Sequence, residues 1–419
     1  MSSTNTVKAP IRIQYAISGS LALVTLGIIY AWSIFKDPLK LLFPSWSDTS
    51  LSLAFTIIMF TYAIGTMVGA WIARKTSRRF VCLVTAACML VAFLGSSFLN
   101  PDKPVASLIQ LYVFFSGIGG LGCGLGYIIV CDNVNCWYPD KSGFAMGMVE
   151  MGFGFGALIT GGIANILTGQ IGILHAFRVL GIAVTIILAA ASIFMKDPPA
   201  EFEKVLIHHG ADREILNVKS MTTKEMVKTL SFWSLMIWSA IVSAAFMTVV
   251  DNAAPISSFY GAPAVIGLIV SLSNGGVRIF VGLFADKIGG RRVSLAHNAV
   301  IILCGVMMVL AGYTQSIVLL VIGFIVTGMA FGGTPTMLAY FMRRFYGPEY
   351  FSENYSLTSW GLLLSAAMGP TIAGLLQDAA TRNGVENHYM STMILMLIFC
   401  VVGVITGIPF LKKAKEYKR

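Results

Sequence analysis

Arg278 is the one Lys or Arg well inside a long apolar stretch, in the run SLSNGGVRIF over 271–280. A cation at membrane depth costs several kcal/mol unless it faces a cavity or meets an anion. Asn274 lies four residues earlier, so a helix puts both side chains on one face. A guanidinium grips a carboxylate through two parallel hydrogen bonds, and Asn274 supplies a further donor for a hydroxyl or keto oxygen. Two readings follow: Arg278 holds a small anionic ligand, or it is the structural partner of a buried acid. The apolar runs also carry a few acids. Asp251 falls near the end of one run, followed by Asn252 and Pro255. It is the candidate proton carrier, or else a helix-end acid in an outer vestibule. Glu150 lies seven residues into another run, where a charge network on the cytoplasmic side is expected. Asp132 is expected to close its own run at the membrane interface.

The positioning elements are helices in lipid. Of 419 residues, 56% are hydrophobic and 11% charged, against about 25% charged in a soluble domain. Twelve apolar runs of spanning length recur, from 13–35 through 107–131, 143–168, 231–253 and 262–285 to 390–411. Each is long enough to cross about 30 Å of hydrocarbon. The first is expected to stay uncleaved. The net charge of +10 reports topology and not nucleic acid. With the N-terminus in the cytoplasm, 23 basic residues fall inside and 5 outside, namely Lys36, Lys40, Lys103, Arg178 and Arg382. Both termini are therefore expected to be cytoplasmic, in the cell membrane. The seven cysteines read as packing residues without zinc spacing. Gly117, Gly119 and Gly122 spell G-x-G-x-x-G inside an apolar helix with no preceding strand, so the dinucleotide context fails. Gly143/Gly147 and Gly152/Gly156 instead have the small-xxx-small spacing of close helix packing. No phosphate loop, nucleophile–base pair or metal set emerges, so neither an enzyme nor a cofactor is expected.

The longest polar stretch, 196–229, divides the chain into six-helix halves at 1–195 and 230–419. The halves repeat: GAWIARKTSRR over 69–79 follows the second run, and GLFADKIGGRR over 282–292 follows the eighth. Parallel repeats of this kind mark transporters whose site lies between the halves at the bilayer midplane. The segment 282–292 resembles the loop signature of the major facilitator superfamily, and the resemblance covers the whole chain. YAWSIFKDP over 30–38, NCWYPDK over 135–141, Ser231-Phe232-Trp233, NGGVR over 274–278 and Asn354-Tyr355 are similar to its oxalate/formate antiporter and monocarboxylate permease branch. The chain departs from that pattern at Ala73 and Thr76, where the first-half signature has Asp and Gly. It also departs in helix eleven, where SWGLLLS over 359–365 has no second cation.

The resemblance implies an all-α membrane fold of two pseudo-symmetric six-helix bundles. It further implies a substrate-facing hydroxyl at Tyr127 and cavity aromatics at Tyr30, Phe331 and Trp360, each equally consistent with plain core packing. In the signature loop, Asp286 can meet a helix N-terminus and stabilise a closed cytoplasmic face; with Arg291 and Arg292 it forms the expected gating set. The leading expectation is a carrier, working as a monomer, for a lactate- or pyruvate-sized monocarboxylate moving with a proton. The alternatives are an oxalate/formate-type exchanger and a transporter-like sensor, against which the short linker argues.

Overall fold

The computed structural model describes residues 11–199, 201–208, 218–250 and 252–416. Among these residues there is no strand, and twelve helices are long and apolar enough to cross a membrane. In chain order they are α1 (Ile13–Leu42), α2 (Thr49–Lys75), α3 (Arg78–Ser96), α4 (Pro104–Trp137), α5 (Ser142–Ile171), α6 (Ile173–Phe194), α7 (Leu230–Val250), α8 (Leu268–Ile288), α9 (Gly290–Thr314), α10 (Ile317–Tyr346), α11 (Phe351–Arg382) and α12 (Tyr389–Lys413). All run past the expected apolar cores at one end or both, with basic residues such as Arg74, Lys75, Arg343 and Arg344 in the added turns of α2 and α10, while α3, α7 and α8 stop short of the expected bounds at the other end. Asp132 shows the consequence. It does not close α4 at an interface: the helix continues to Trp137, and Asp132 is buried and paired with Arg78 at 2.7 Å.

Local chemistry sets the ends. Ser47, Ser77 and Ser316 each accept a backbone N–H from the first turn of α2, α3 and α10, satisfying an otherwise unpaired donor. Gly289 reverses the chain between α8 and α9 at φ 95°, a conformation that favours glycine. On the polar stretch, Thr222 and Glu225 form a capping box around Thr223–Met226. The Thr222 backbone N–H holds the Glu225 carboxyl below its ordinary range.

Helices α1–α6 pack among themselves, as do α7–α12. The outward faces are greasy: Trp71, Ile182, Phe280, Phe284 and Ile405 are exposed, which lipid accommodates and water would not. Helix α8 divides sharply, with Phe280 58% exposed and Arg278, two residues away, 6%. The halves meet chiefly along α5 and α8. Here the first spaced pair acts, joined by Gly154, which lies outside both pairs: a Cβ on Gly147 would lie 2.5 Å from the Arg278 carbonyl oxygen, and one on Gly154 3.1 Å from Gly275 Cα. The second pair, Gly152/Gly156, faces α1 instead, against Ser20 and Gly27. Helix α5 therefore carries glycine contacts toward two neighbours, and backbone-to-backbone approach brings α8 close enough for Arg278 to reach it.

Candidate functional site

Arg278 points from α8 into the seam between the halves. Its Nη1 donates to Glu150 Oε2 at 2.7 Å and to the Glu150 carbonyl at 3.0 Å. Its Nε and Nη2 donate to Asn274 Oδ1 at 3.2 and 3.0 Å. The side chains of Arg278 and Glu150 are 7% and 1% exposed. At 1.5 Å per residue, Glu150 lies about 12 Å and Arg278 about 15 Å along their helices from the ends that carry the basic loops. The expectation of a charge network around Glu150 thus takes a specific form: its partner is Arg278 itself, on the opposite half.

Glu150 has further partners. Tyr127 on α4 donates its hydroxyl to Glu150 Oε1, and Tyr355 on α11 reaches the same oxygen at 3.3 Å. The two tyrosine hydroxyls are 2.9 Å apart. Tyr62 and Phe153 pack their rings on Tyr127, at 5.6 and 5.0 Å between centroids. One carboxylate therefore receives bonds from a guanidinium and two phenols, held by helices of both halves. A buried ion pair with its other lone pairs satisfied offsets a desolvation cost of several kcal/mol per ion. Stripping away one partner would expose that cost.

Asn274 accepts from Arg278 through Oδ1, which orients the guanidinium. Phe331 is half-buried and packs on Phe246 of α7 at 5.8 Å. Trp360 bridges the halves: its Nε1 donates to Met67 Sδ at 3.1 Å, and its ring meets Phe60 edge-on. Tyr30 lies in the short 3-10 turn Gly27–Ala31 within α1, and its side chain is not among those described. Asp251 lies outside the described residues.

Outside the cluster the halves are tied again. Asp286 accepts the backbone N–H groups of Gly143 and Phe144 at 2.9 and 2.7 Å, at the N-terminus of α5. Thr66 bonds Ser359 and the Ser356 carbonyl, and Arg74 pairs with Glu353 at 2.9 Å. Arg291 is half-buried with its Nε unbonded and Arg292 is exposed; among the described ion pairs neither joins the halves. Tyr355 and Glu353 both come from the short helix Phe351–Ser356. The polar stretch secures that helix: Asn354 donates to the Met221 carbonyl and accepts from Thr223 Oγ1, each at 2.9 Å.

A profile of the Major Facilitator Superfamily matches residues 13–370 and 263–418. The chain belongs to that superfamily. Among curated relatives, it is 26% identical over 389 residues to the oxalate:formate antiporter of Oxalobacter formigenes, covering 89% of this chain and 85% of that one. It is 25% identical over 347 residues to the uncharacterized MFS-type transporter YhjX of Escherichia coli, covering 80% and 81%. Its fold superposes on the proton:xylose symporter XylE with a TM-score of 0.75 at 15% identity, covering 96% of each chain. This major facilitator chain is thus an integral membrane transporter of two six-helix bundles, and not an enzyme. Tyr355 was legible only as part of a family-like Asn-Tyr pair. Glu150 was legible as an acid in an apolar run, but nothing in the spacing linked it to a residue 128 positions away.

Proposed function

We propose that this major facilitator protein is a secondary carrier of a small monocarboxylate of lactate or pyruvate size, moved together with a proton by alternating access. The observation that carries the reading is Arg278: a buried guanidinium at mid-depth, on the seam that must open and close, held in orientation by Asn274. One cation matches one carboxylate. Helix α11 supports the preference for a single charge, since 359–365 carries Trp360 and three leucines and no Lys or Arg. A lactate-like acid is ionised at neutral pH, and co-transport of a proton makes the cycle electrically neutral. Without it, each transported charge works against about 2.3 kcal/mol per 100 mV. In this reading both termini are cytoplasmic in the cell membrane and the monomer is the working unit. Asp251 is one candidate for the proton.

A second reading, exchange of small organic anions, is favoured by the antiporter among the relatives. Thermal stabilisation of the purified carrier against formate, lactate, pyruvate and oxalate separates the two, because a ligand that binds the folded state raises apparent stability by mass action. Lactate or pyruvate should stabilise most, and labelled uptake into proteoliposomes should follow the same order. Oxalate as the strongest stabiliser would overturn the monocarboxylate preference.

A further inference from the structure

We propose that Glu150 is the proton site of transport, a resident carboxylate that occupies Arg278 until a proton neutralises it and the substrate's carboxylate takes its place. The inference rests on the carboxylate-carrier reading and adds the residue that couples it. Its basis is geometric. Arg278 spends both Nη1 hydrogens on Glu150 and gives Asn274 the Nε bond and one Nη2 bond. Of its partners, only the Glu150 side chain bears a charge. An incoming carboxylate that needs the guanidinium therefore competes with Glu150 Oε2 for the same donor.

The exchange balances. A proton from solution adds to a Glu150 carboxylate oxygen and gives the neutral acid. The ion pair to Arg278 is lost, and the substrate anion forms a new one. The cluster carries one positive and one negative charge before and after, so the half-to-half movement never leaves an uncompensated charge buried in the seam. On release the substrate leaves, the proton returns to solution and Glu150 rejoins Arg278. Among the described residues, the titratable groups that interact with Glu150 are Arg278 from α8, Tyr127 and Cys131 from α4, and Tyr355 from Phe351–Ser356. None of the other three offers a second cation to hold Glu150 ionised once Arg278 is taken. Glu150, Tyr127, Arg278 and Tyr355 also tie the halves together, two from each. Neutralising Glu150 thus loosens the clasp at the same step that loads the substrate.

The test measures proton uptake when L-lactate or pyruvate is added to the weakly buffered, detergent-solubilised protein, together with affinity as a function of pH. The wild type should take up one proton per bound anion, with affinity rising about tenfold for each pH unit of acidification over the linked range. Glu150→Gln should bind without proton uptake and with a flat pH profile, and a pH gradient should no longer drive accumulation in proteoliposomes. Glu150→Asp keeps a titratable group and should retain uptake of a proton, which guards against a merely misfolded Gln variant. An unchanged proton count in Glu150→Gln overturns the proposal, as does loss of coupling in Asp251→Asn alone. If the wild type binds no monocarboxylate, the carrier reading itself fails. If it binds and takes up no proton, only the role of Glu150 fails.

Discussion

Arg278 and Glu150 each satisfy a buried charge that the other creates, so replacing either has a cost beyond the lost contact. Truncating one member of a buried, hydrogen-bonded charge pair typically costs about 2–5 kcal/mol, much of it from the stranded partner. Arg278→Ala should reduce monocarboxylate affinity at least about thirtyfold by this arithmetic, measurable by equilibrium binding. Arg278→Lys should lose most of the same, because one ammonium cannot serve Asn274 and a carboxylate together through a planar fork. Near-normal uptake by the Ala variant would remove Arg278 from the site. Tyr127→Phe removes one bond to a charged oxygen, worth about 1.5–3 kcal/mol. Tyr355 still reaches that oxygen, so the resting ion pair should be weakened only in part, read as a smaller loss of thermal stability than for Arg278→Ala.

Helices α5 and α8 meet as backbones at the basic end, where Gly143 and Gly282 are in contact and Asp286 caps α5 across the seam. A methyl on Gly282 would collide with the Gly143 carbonyl. Gly282→Ala should therefore spread α5 from α8 and raise the accessibility of cysteines placed at the basic end, read by alkylation rate. Asp286→Asn should act in the same direction through lost charge at the helix N-terminus, an effect of about 0.3–2 kcal/mol, and should slow transport. Equal alkylation in wild type and Asp286→Asn would contradict this. Ala73, at the matching place in the first half, has no acid to lend, and Ala73→Asp should change the balance modestly. The Arg74–Glu353 pair also bridges the halves, but the Arg74 side chain is 43% exposed. Exposed pairs contribute about 0–1 kcal/mol, so the hold at this end belongs chiefly to the capped α5 terminus and the buried cluster.

For the whole molecule, the site stands between two bundles, and in the proposed function its charge balance sets which anion it takes. With one available cation, a monocarboxylate should compete better than oxalate in uptake assays. Leu363 lies one helical turn from Trp360 and is half-buried against the core. Leu363→Lys should shift preference toward the dianion; an unchanged ratio of oxalate to lactate affinity would argue against α11 as the place where the second charge is read. The short helix Phe351–Ser356 joins these scales. It presents Tyr355 to Glu150 and Glu353 to Arg74 while the polar stretch at Met221 and Thr223 holds its other side.

Much was determined by the sequence alone, for reasons that are local. Apolar runs of spanning length can only be satisfied in lipid, basic loops cluster at one end, and the paired signatures at 69–79 and 282–292 announce a repeated bundle. Arg278 was conspicuous because a cation in an apolar run has no local partner, and Asn274 because four residues make one helical turn. The identity of the anion facing Arg278 was decided only by tertiary structure. Glu150 stands on another bundle, and its approach depends on glycines whose spacing indicates a close neighbour without naming which helix that is. Spacing within a helix follows from its pitch; pairing between helices follows from packing, and packing is where Gly147 and Gly154 let α8 deliver its arginine to α5.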